Sequence, residues 1–219
     1  MSFIGFMDSK IQTSLFLFLT ILIISFLLSF CINNLLLTEN IFYFHYEGQF
    51  SNTKINKMLL FRDEWIWITY LLTPLILLVK IQISVLAIYL GLYLSKIKVS
   101  YNSILSIVLI AEFIFLVPVF IKLIWFSFFQ SNFVLNDIRY FYPLSVFSLF
   151  EPELLEKYLY YPFKVLNLFE LLYWIALASL LSIKFSRPFD DMLKVVLGYY
   201  GGYLICWVAF VMFISLSQT

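Results

Sequence analysis

The sequence predicts an all-α, polytopic integral membrane protein with five transmembrane helices and a short interfacial helix before the fourth. Two observations support this fold class. Hydrophobic residues make up 63% of the chain and the mean hydropathy is +0.97, more apolar surface than a soluble domain of 219 residues can bury. In addition, five apolar segments are long enough to cross a hydrocarbon core about 30 Å thick.

The five predicted spans form a single transmembrane domain over residues 1–219. The second span is predicted to begin near Pro74, because proline is tolerated in the first turn of a helix. Residues 65–73 would then lie at the membrane interface or continue as a kinked turn. The first apolar segment lacks a small-residue cleavage site, so we expect a retained helix and not a signal peptide. The predicted spans cover residues 13–36, 74–94, 104–129, 163–183 and 194–216.

The segment SLFEPELLEKYLYYPF, residues 148–163, predicts the short interfacial helix. Pro152 and Glu153 suit its first turn, which accommodates a missing backbone donor and a negative charge. An aromatic belt at the headgroup level explains the tyrosines of this segment equally well. Both interpretations remain open at this point.

Basic residues predict the orientation of the chain in the membrane. They are denser at the N-terminus and in the two short loops than in the two long loops, which favours a cytoplasmic N-terminus and an external C-terminus. Scarce arginine with abundant Ile, Phe and Asn is typical of an AT-rich genome, so we expect a bacterial inner membrane. The residues used are Lys10, Lys96, Lys98, Lys184, Arg187 and Lys194.

Four ionisable residues fall within the predicted spans. At about 1.5 Å per residue, Lys80 and Glu170 lie at the same depth, Glu112 lies closer to the cytoplasm and Lys122 lies near the outer interface. A charge exposed to lipid costs about 2.5–3.5 kcal/mol, so we expect inward-facing pairs, with Lys80 bound to Glu170. Lys122 can also extend to the interface. The cluster is either a polar fastener between helices or part of a transport mechanism.

Small residues recur at intervals of three to four positions in the last span. Such a stripe lets another helix approach closely, either from within this chain or from a partner, and it can also form a groove for lipid. Cys31 and Cys206 lie in apolar runs and are expected to be buried thiols. The stripe comprises Gly198, Gly201, Gly202, Cys206 and Ala209.

Residues Asn167 to Met212, less than a quarter of the chain, combine a Phe-rich helix start, a Trp-containing apolar run, a short polar loop and a final apolar helix. This segment resembles the last two spans of bacterial members of the Yip family, the Ypt-interacting membrane proteins. The matching positions are Phe169, Trp174, Ser186 and Lys194. The resemblance implies a helical membrane scaffold or accessory subunit without assigned catalysis.

The sequence contains no motif that would support catalysis. It has no G-x-S-x-G, no H-E-x-x-H and no phosphate-binding glycine loop, and His45 is the only histidine. We therefore expect no enzyme, cofactor, metal site or nucleic-acid partner. The leading hypothesis is an accessory or scaffolding subunit that lies in the lipid bilayer and binds another integral membrane protein. The alternatives are a transporter or channel component using Lys80, Glu112 and Glu170, and a membrane enzyme acting on lipid.

Overall fold

The computed structural model describes the backbone of residues 3–217 and the side chains of residues 12–217. Ten α-helices are present in the described residues, with short 3-10 and π segments between them. Extended pairing there is limited to one isolated bridge, between Ser145 and Asn167. The helices are α1 (Phe3–Cys31), α2 (Glu39–Tyr46), α3 (Asn52–Leu94), α4 (Tyr101–Glu112), α5 (Leu116–Ile124), α6 (Leu135–Tyr140), α7 (Lys157–Val165), α8 (Leu168–Phe185), α9 (Phe189–Val195) and α10 (Gly202–Ser217).

Within the described residues, five helical stretches are long and apolar enough to cross a membrane. The prediction of an all-α, multi-pass membrane protein with five transmembrane helices is therefore confirmed. We number these stretches as spans 1 to 5 in chain order. They are Gln12–Leu36, Asn52–Leu94, Tyr101–Phe129, Leu168–Phe185 and Phe189–Ser217.

The predicted beginning of span 2 at Pro74 is wrong. One helix of 43 residues runs from Asn52 through Pro74 to Leu94. Proline removes one backbone hydrogen bond, but a long helix tolerates it where the freed carbonyl finds other partners. At about 1.5 Å per residue the helix is roughly 65 Å long, about twice the hydrocarbon core. Its first half therefore extends beyond the core, where α2 packs against it.

The segment between spans 3 and 4 contains a short helix before the fourth span, as predicted, but this helix starts later than expected. Pro152–Leu154 forms one 3-10 turn, and α7 begins only at Lys157. Span 4 likewise begins at Leu168 and not at residue 163, because α7 ends at Val165 and Asn167 caps the next helix. The Asn167 side chain accepts a hydrogen bond from the Glu170 backbone amide at 2.8 Å.

Span 5 begins at Phe189, five residues before the predicted position. Pro188 precedes its first turn, and Asp190 and Asp191 lie within that turn, where they stabilise the positive end of the helix dipole. A π-helical segment, Val196–Gly201, connects α9 to α10. In span 3, Phe113–Phe115 adopts 3-10 geometry one turn before Pro118, whose ring disrupts the preceding turn.

The apolar core lies where spans 2, 3, 4 and 5 meet, with span 1 packed against span 3. Gly91 permits the close contact between spans 2 and 5, because an added Cβ would lie 2.5 Å from the Tyr199 ring and 2.9 Å from Val195. Ser14 of span 1 and Ser106 of span 3 share a hydrogen bond of 2.9 Å. The fully buried core side chains include Val85, Ile88, Leu92, Ile104, Val108, Tyr173, Leu177, Leu181 and Val196.

Candidate functional site: two buried glutamates and a lateral groove

The first buried glutamate, Glu112, forms an ion pair with Lys80. The Lys80 ammonium donates to Glu112 Oε1 and lies 3.5 Å from the centroid of the Phe115 ring. The Glu112 side chain is only 2% exposed, whereas that of Lys80 is 38% exposed. The pair therefore joins span 2 to span 3 at the edge of the core.

The predicted pairing of Lys80 with Glu170 is wrong. Equal depth favoured it, but span 2 packs against spans 3 and 5, and Glu170 lies on span 4. The flexible lysine stem allows the ammonium to reach the deeper carboxylate of the neighbouring helix.

The Glu112 carboxylate is incompletely satisfied. Its Oε2 and the Tyr173 hydroxyl are buried without a hydrogen-bond partner among the described residues. The Tyr173 ring lies between Phe115 and Tyr200, with ring centroids 4.9 and 5.2 Å away. An unpaired buried polar group costs about 1–3 kcal/mol, so these two atoms lower the stability of this part of the core.

The second buried glutamate, Glu170, meets only neutral donors. Its Oε1 accepts from the Trp174 indole at 2.8 Å and from the Tyr200 hydroxyl at 2.9 Å. The residue is only 8% exposed, yet no cation lies within ion-pair distance of it among residues 12–217. Glu170 therefore links spans 4 and 5 without charge compensation from the described part of the chain.

Lys122 contacts a different set of residues from the other three ionisable side chains. Its ammonium lies 5.8 Å from the Tyr142 ring centroid, and the ammonium of Lys164 lies 4.3 Å from the same centroid. The structure thus brings Lys80 and Glu112 together, places Glu170 beyond the Tyr173 and Tyr200 rings, and leaves Lys122 outside this group.

A lateral groove of about 830 Å³ lies between α7, span 4, span 5 and residues 144–149. Its walls are mostly apolar, and exposed leucine and isoleucine side chains such as Leu171 and Ile205 form its rim. The polar residues in its lining include Ser145, Ser148, Asn167 and Glu170. The groove therefore places a buried carboxylate at the bottom of an apolar surface.

Tyr161 connects α7 to span 5 beside this groove. The Trp207 indole donates to the Tyr161 hydroxyl at 2.8 Å. Burial raises the pKa of this hydroxyl above its usual range, so it remains neutral at physiological pH. The contact therefore fixes α7 against the last span without adding a charge.

The residues of the small-residue stripe lie in two environments, one packed and one open. Gly201 is buried, and a Cβ added to it would lie 3.6 Å from the Trp174 ring. An added Cβ at Gly198 or Gly202 would meet no atom within 4 Å. Cys206 and Ala209 are exposed, which contradicts the expectation of a buried thiol at Cys206, because an apolar run in a membrane can face lipid. Cys31 is half-buried.

Sequence reasoning missed three residues that shape this site. Trp174 follows Glu170 by four positions, a spacing that brings side chains together on a helix and could have predicted the bond. Tyr200 comes from another span, and Gly91 acts through the close approach of span 5. Neither has a local signal in the sequence.

Comparison with known protein families, curated proteins and solved structures finds no match for this chain. The resemblance to the Yip family therefore stays a hypothesis. Among the described residues, no group of three or more His, Cys, Asp or Glu side chains is placed to hold a metal ion.

Proposed function

We propose that this chain is a non-catalytic accessory or scaffolding subunit that holds a transmembrane helix of another membrane protein in its lateral groove. The observation that supports this function is Glu170, a buried carboxylate that lines an open apolar groove and has no cation within ion-pair distance among the described residues. The resemblance to bacterial Yip-family proteins implies the same class of function.

Charge complementarity defines the partner helix. A helix that carries Lys or Arg at the level of Glu170 compensates the buried negative charge and excludes lipid from the groove. Ionisable residues inside membranes pair with one another because exposure to hydrocarbon costs about 2.5–3.5 kcal/mol each. A purely apolar helix leaves this charge uncompensated, so it is a weaker occupant.

The open small residues favour a helix as the occupant. Gly202, Cys206 and Ala209 follow one another at spacings of four and three residues, and the groove shares Ala209. Small residues on one face allow two backbones to approach closely, which is how many membrane helices associate. The partner helix would therefore lie against span 5 with its basic residue toward span 4.

The ion pair between Lys80 and Glu112 acts as a fastener in this proposal. Neither residue lines the groove, and their mutual contact joins spans 2 and 3. We therefore favour the scaffold over a transporter that uses Lys80, Glu112 and Glu170 along one path. We also propose a bacterial inner membrane, on the basis of scarce arginine with abundant Ile, Phe and Asn. The basic residues of the short loops support an N-terminus in the cytoplasm.

Site-specific photocrosslinking in native membranes tests the proposal. A photoreactive amino acid replaces Ile205 at the rim of the groove, and a control replaces Ile76, an equally apolar and exposed residue on span 2 that does not line the groove. We expect one protein adduct from position 205 and none from position 76. Peptide mapping should place the adduct in a transmembrane segment that contains Lys or Arg. Adducts with lipid alone, or with a second copy of this chain, would contradict the proposal.

A further inference from the structure

Lys122 and Lys164 form a second charged cluster, outside the groove and the ion pair. Lys122 lies in span 3 and Lys164 near the end of α7, four residues before span 4 begins. Both ammonium groups approach the Tyr142 ring, at 5.8 and 4.3 Å from its centroid. Lys164 is also 5.0 Å from the ring centroid of Phe147 and 5.7 Å from that of Tyr160.

This cluster carries positive charge that the described residues do not neutralise. Both ammonium groups lie near the Tyr142 ring, so two like charges approach the same side chain. Neither has an acidic group within ion-pair distance among residues 12–217. Acidic side chains do line the neighbouring groove next to Tyr142, namely Asp137, Glu151 and Glu153, but they do not reach the ammonium groups. The ring faces attract the cations without cancelling their charge.

The position of the cluster matches the headgroup level of the membrane. Lys122 lies seven residues before Phe129, the end of span 3, which places it roughly 10 Å inside that end. A lysine stem can extend over such a distance toward the interface while its methylene groups stay in apolar surroundings. Tyrosine rings are typical of the same level. Tyr142 and Tyr160 lie next to the lysines, and Tyr140 packs against Tyr160.

We propose that Lys122 and Lys164 bind a phosphate group at this membrane surface. Two ammonium groups present several charge-assisted donors to one tetrahedral oxyanion, and a phosphate removes the repulsion between them. Both lysines are half-buried, so part of each side of the cluster stays open to a ligand. The phosphate belongs either to a phospholipid headgroup or to a free anion. This inference is independent of the partner helix, because neither lysine lines the lateral groove.

Native mass spectrometry of the purified chain in neutral detergent tests this site. The probes are phosphatidylglycerol, a diacylglycerol with the same acyl chains, and inorganic phosphate. Wild type is compared with a Lys122→Gln/Lys164→Gln double variant. A Lys157→Gln/Lys184→Gln variant removes the same charge from two exposed positions elsewhere. A Lys122→Arg/Lys164→Arg variant keeps the charge and reports on folding.

We expect phosphatidylglycerol to bind the double glutamine variant with about tenfold lower affinity than wild type, the arginine variant and the control. The reason is that the glutamine variant lacks the charge-assisted hydrogen bonds to the phosphate. Diacylglycerol should bind all variants equally. The same loss for inorganic phosphate would assign the site to a free anion, and a loss for phosphatidylglycerol alone would assign it to the lipid headgroup. Equal weakening in the control variant, or equal binding of diacylglycerol and phosphatidylglycerol, would overturn the proposal.

Discussion

Glu112 and Glu170 are both buried carboxylates, but they lie on two sides of the bundle that differ in how they are filled. On the core side, Glu112 meets Lys80 of its own chain, and Gly91 allows span 5 to pack closely on span 2. On the groove side, Glu170 meets an indole and a phenol, and Gly202 has open space above it. Both carboxylates are buried, so burial alone does not separate them. In the proposed function the difference lies in the compensating charge, which comes from the same chain for Glu112 and from a partner helix for Glu170.

Removing the Glu112 carboxylate on the core side should have the largest effect on the free energy of unfolding. Glu112→Ala leaves Lys80 without its counter-ion, and we expect a loss of about 2–4 kcal/mol, because breaking a buried pair from one side strands the other charge. A Lys80→Met/Glu112→Leu double variant should recover most of this loss. Reversible unfolding in mixed detergent micelles, followed by circular dichroism, measures both. If the single and double variants are equally unstable, the fastener interpretation of this pair is wrong.

Substitutions of Gly91 and Gly202 test whether the core side is packed more tightly than the groove side. Gly91→Ala forces a methyl group against Tyr199 and Val195, so we expect a loss of about 1–3 kcal/mol from overpacking. Gly202→Ala is the matched control, and it should leave the stability within about 0.5 kcal/mol because nothing lies near its Cβ. The same unfolding assay applies. Equal losses for the two variants would mean that the groove side is as tightly packed as the core.

Removing a hydrogen bond to Glu170 should lower the free energy of unfolding by a smaller amount. Trp174→Phe and Tyr200→Phe each remove one donor to Oε1, and we expect losses of about 0.5–1.5 kcal/mol for each. The two variants should be less than additive, because both donors serve the same oxygen. Unfolding of the single and double variants completes the cycle. Strict additivity would show that the two donors act independently.

Much of the fold could be predicted from the sequence because hydropathy is a property of whole segments. Five long apolar runs suffice to predict five spans, and the predicted ends of spans 1, 2 and 3 coincide with the ends of the corresponding helical stretches. The beginnings were less accurate, since hydropathy does not report local signals. Asn167 caps α8 with its side chain, and Pro188 precedes the first turn of α9 without a capping bond. The passage of α3 through Pro74 was missed because the proline signal predicts a helix start as readily as an interior position.

The candidate site could be predicted as a set of residues but not as a set of pairs. Charged residues in an apolar run stand out, so Lys80, Glu112, Lys122 and Glu170 were identified. Their partners depend on which face of each helix meets which neighbour, and counting residues along a helix gives only depth. Lys80 was therefore assigned to Glu170. Similarly, Cys206 was expected to be buried because an apolar run does not distinguish the bundle interior from lipid.

Affinity capture from native membranes tests the central claim most directly, with wild type compared with Glu170→Gln and Glu112→Gln. In the Glu170→Gln variant the side-chain amide oxygen can still accept from Trp174 and Tyr200, so the protein should stay folded while it loses the negative charge. We predict that Glu170→Gln reduces the retained partner helix at least about tenfold, and that Glu112→Gln retains it. Equal retention by wild type and Glu170→Gln would contradict the claim that this carboxylate recognises a partner.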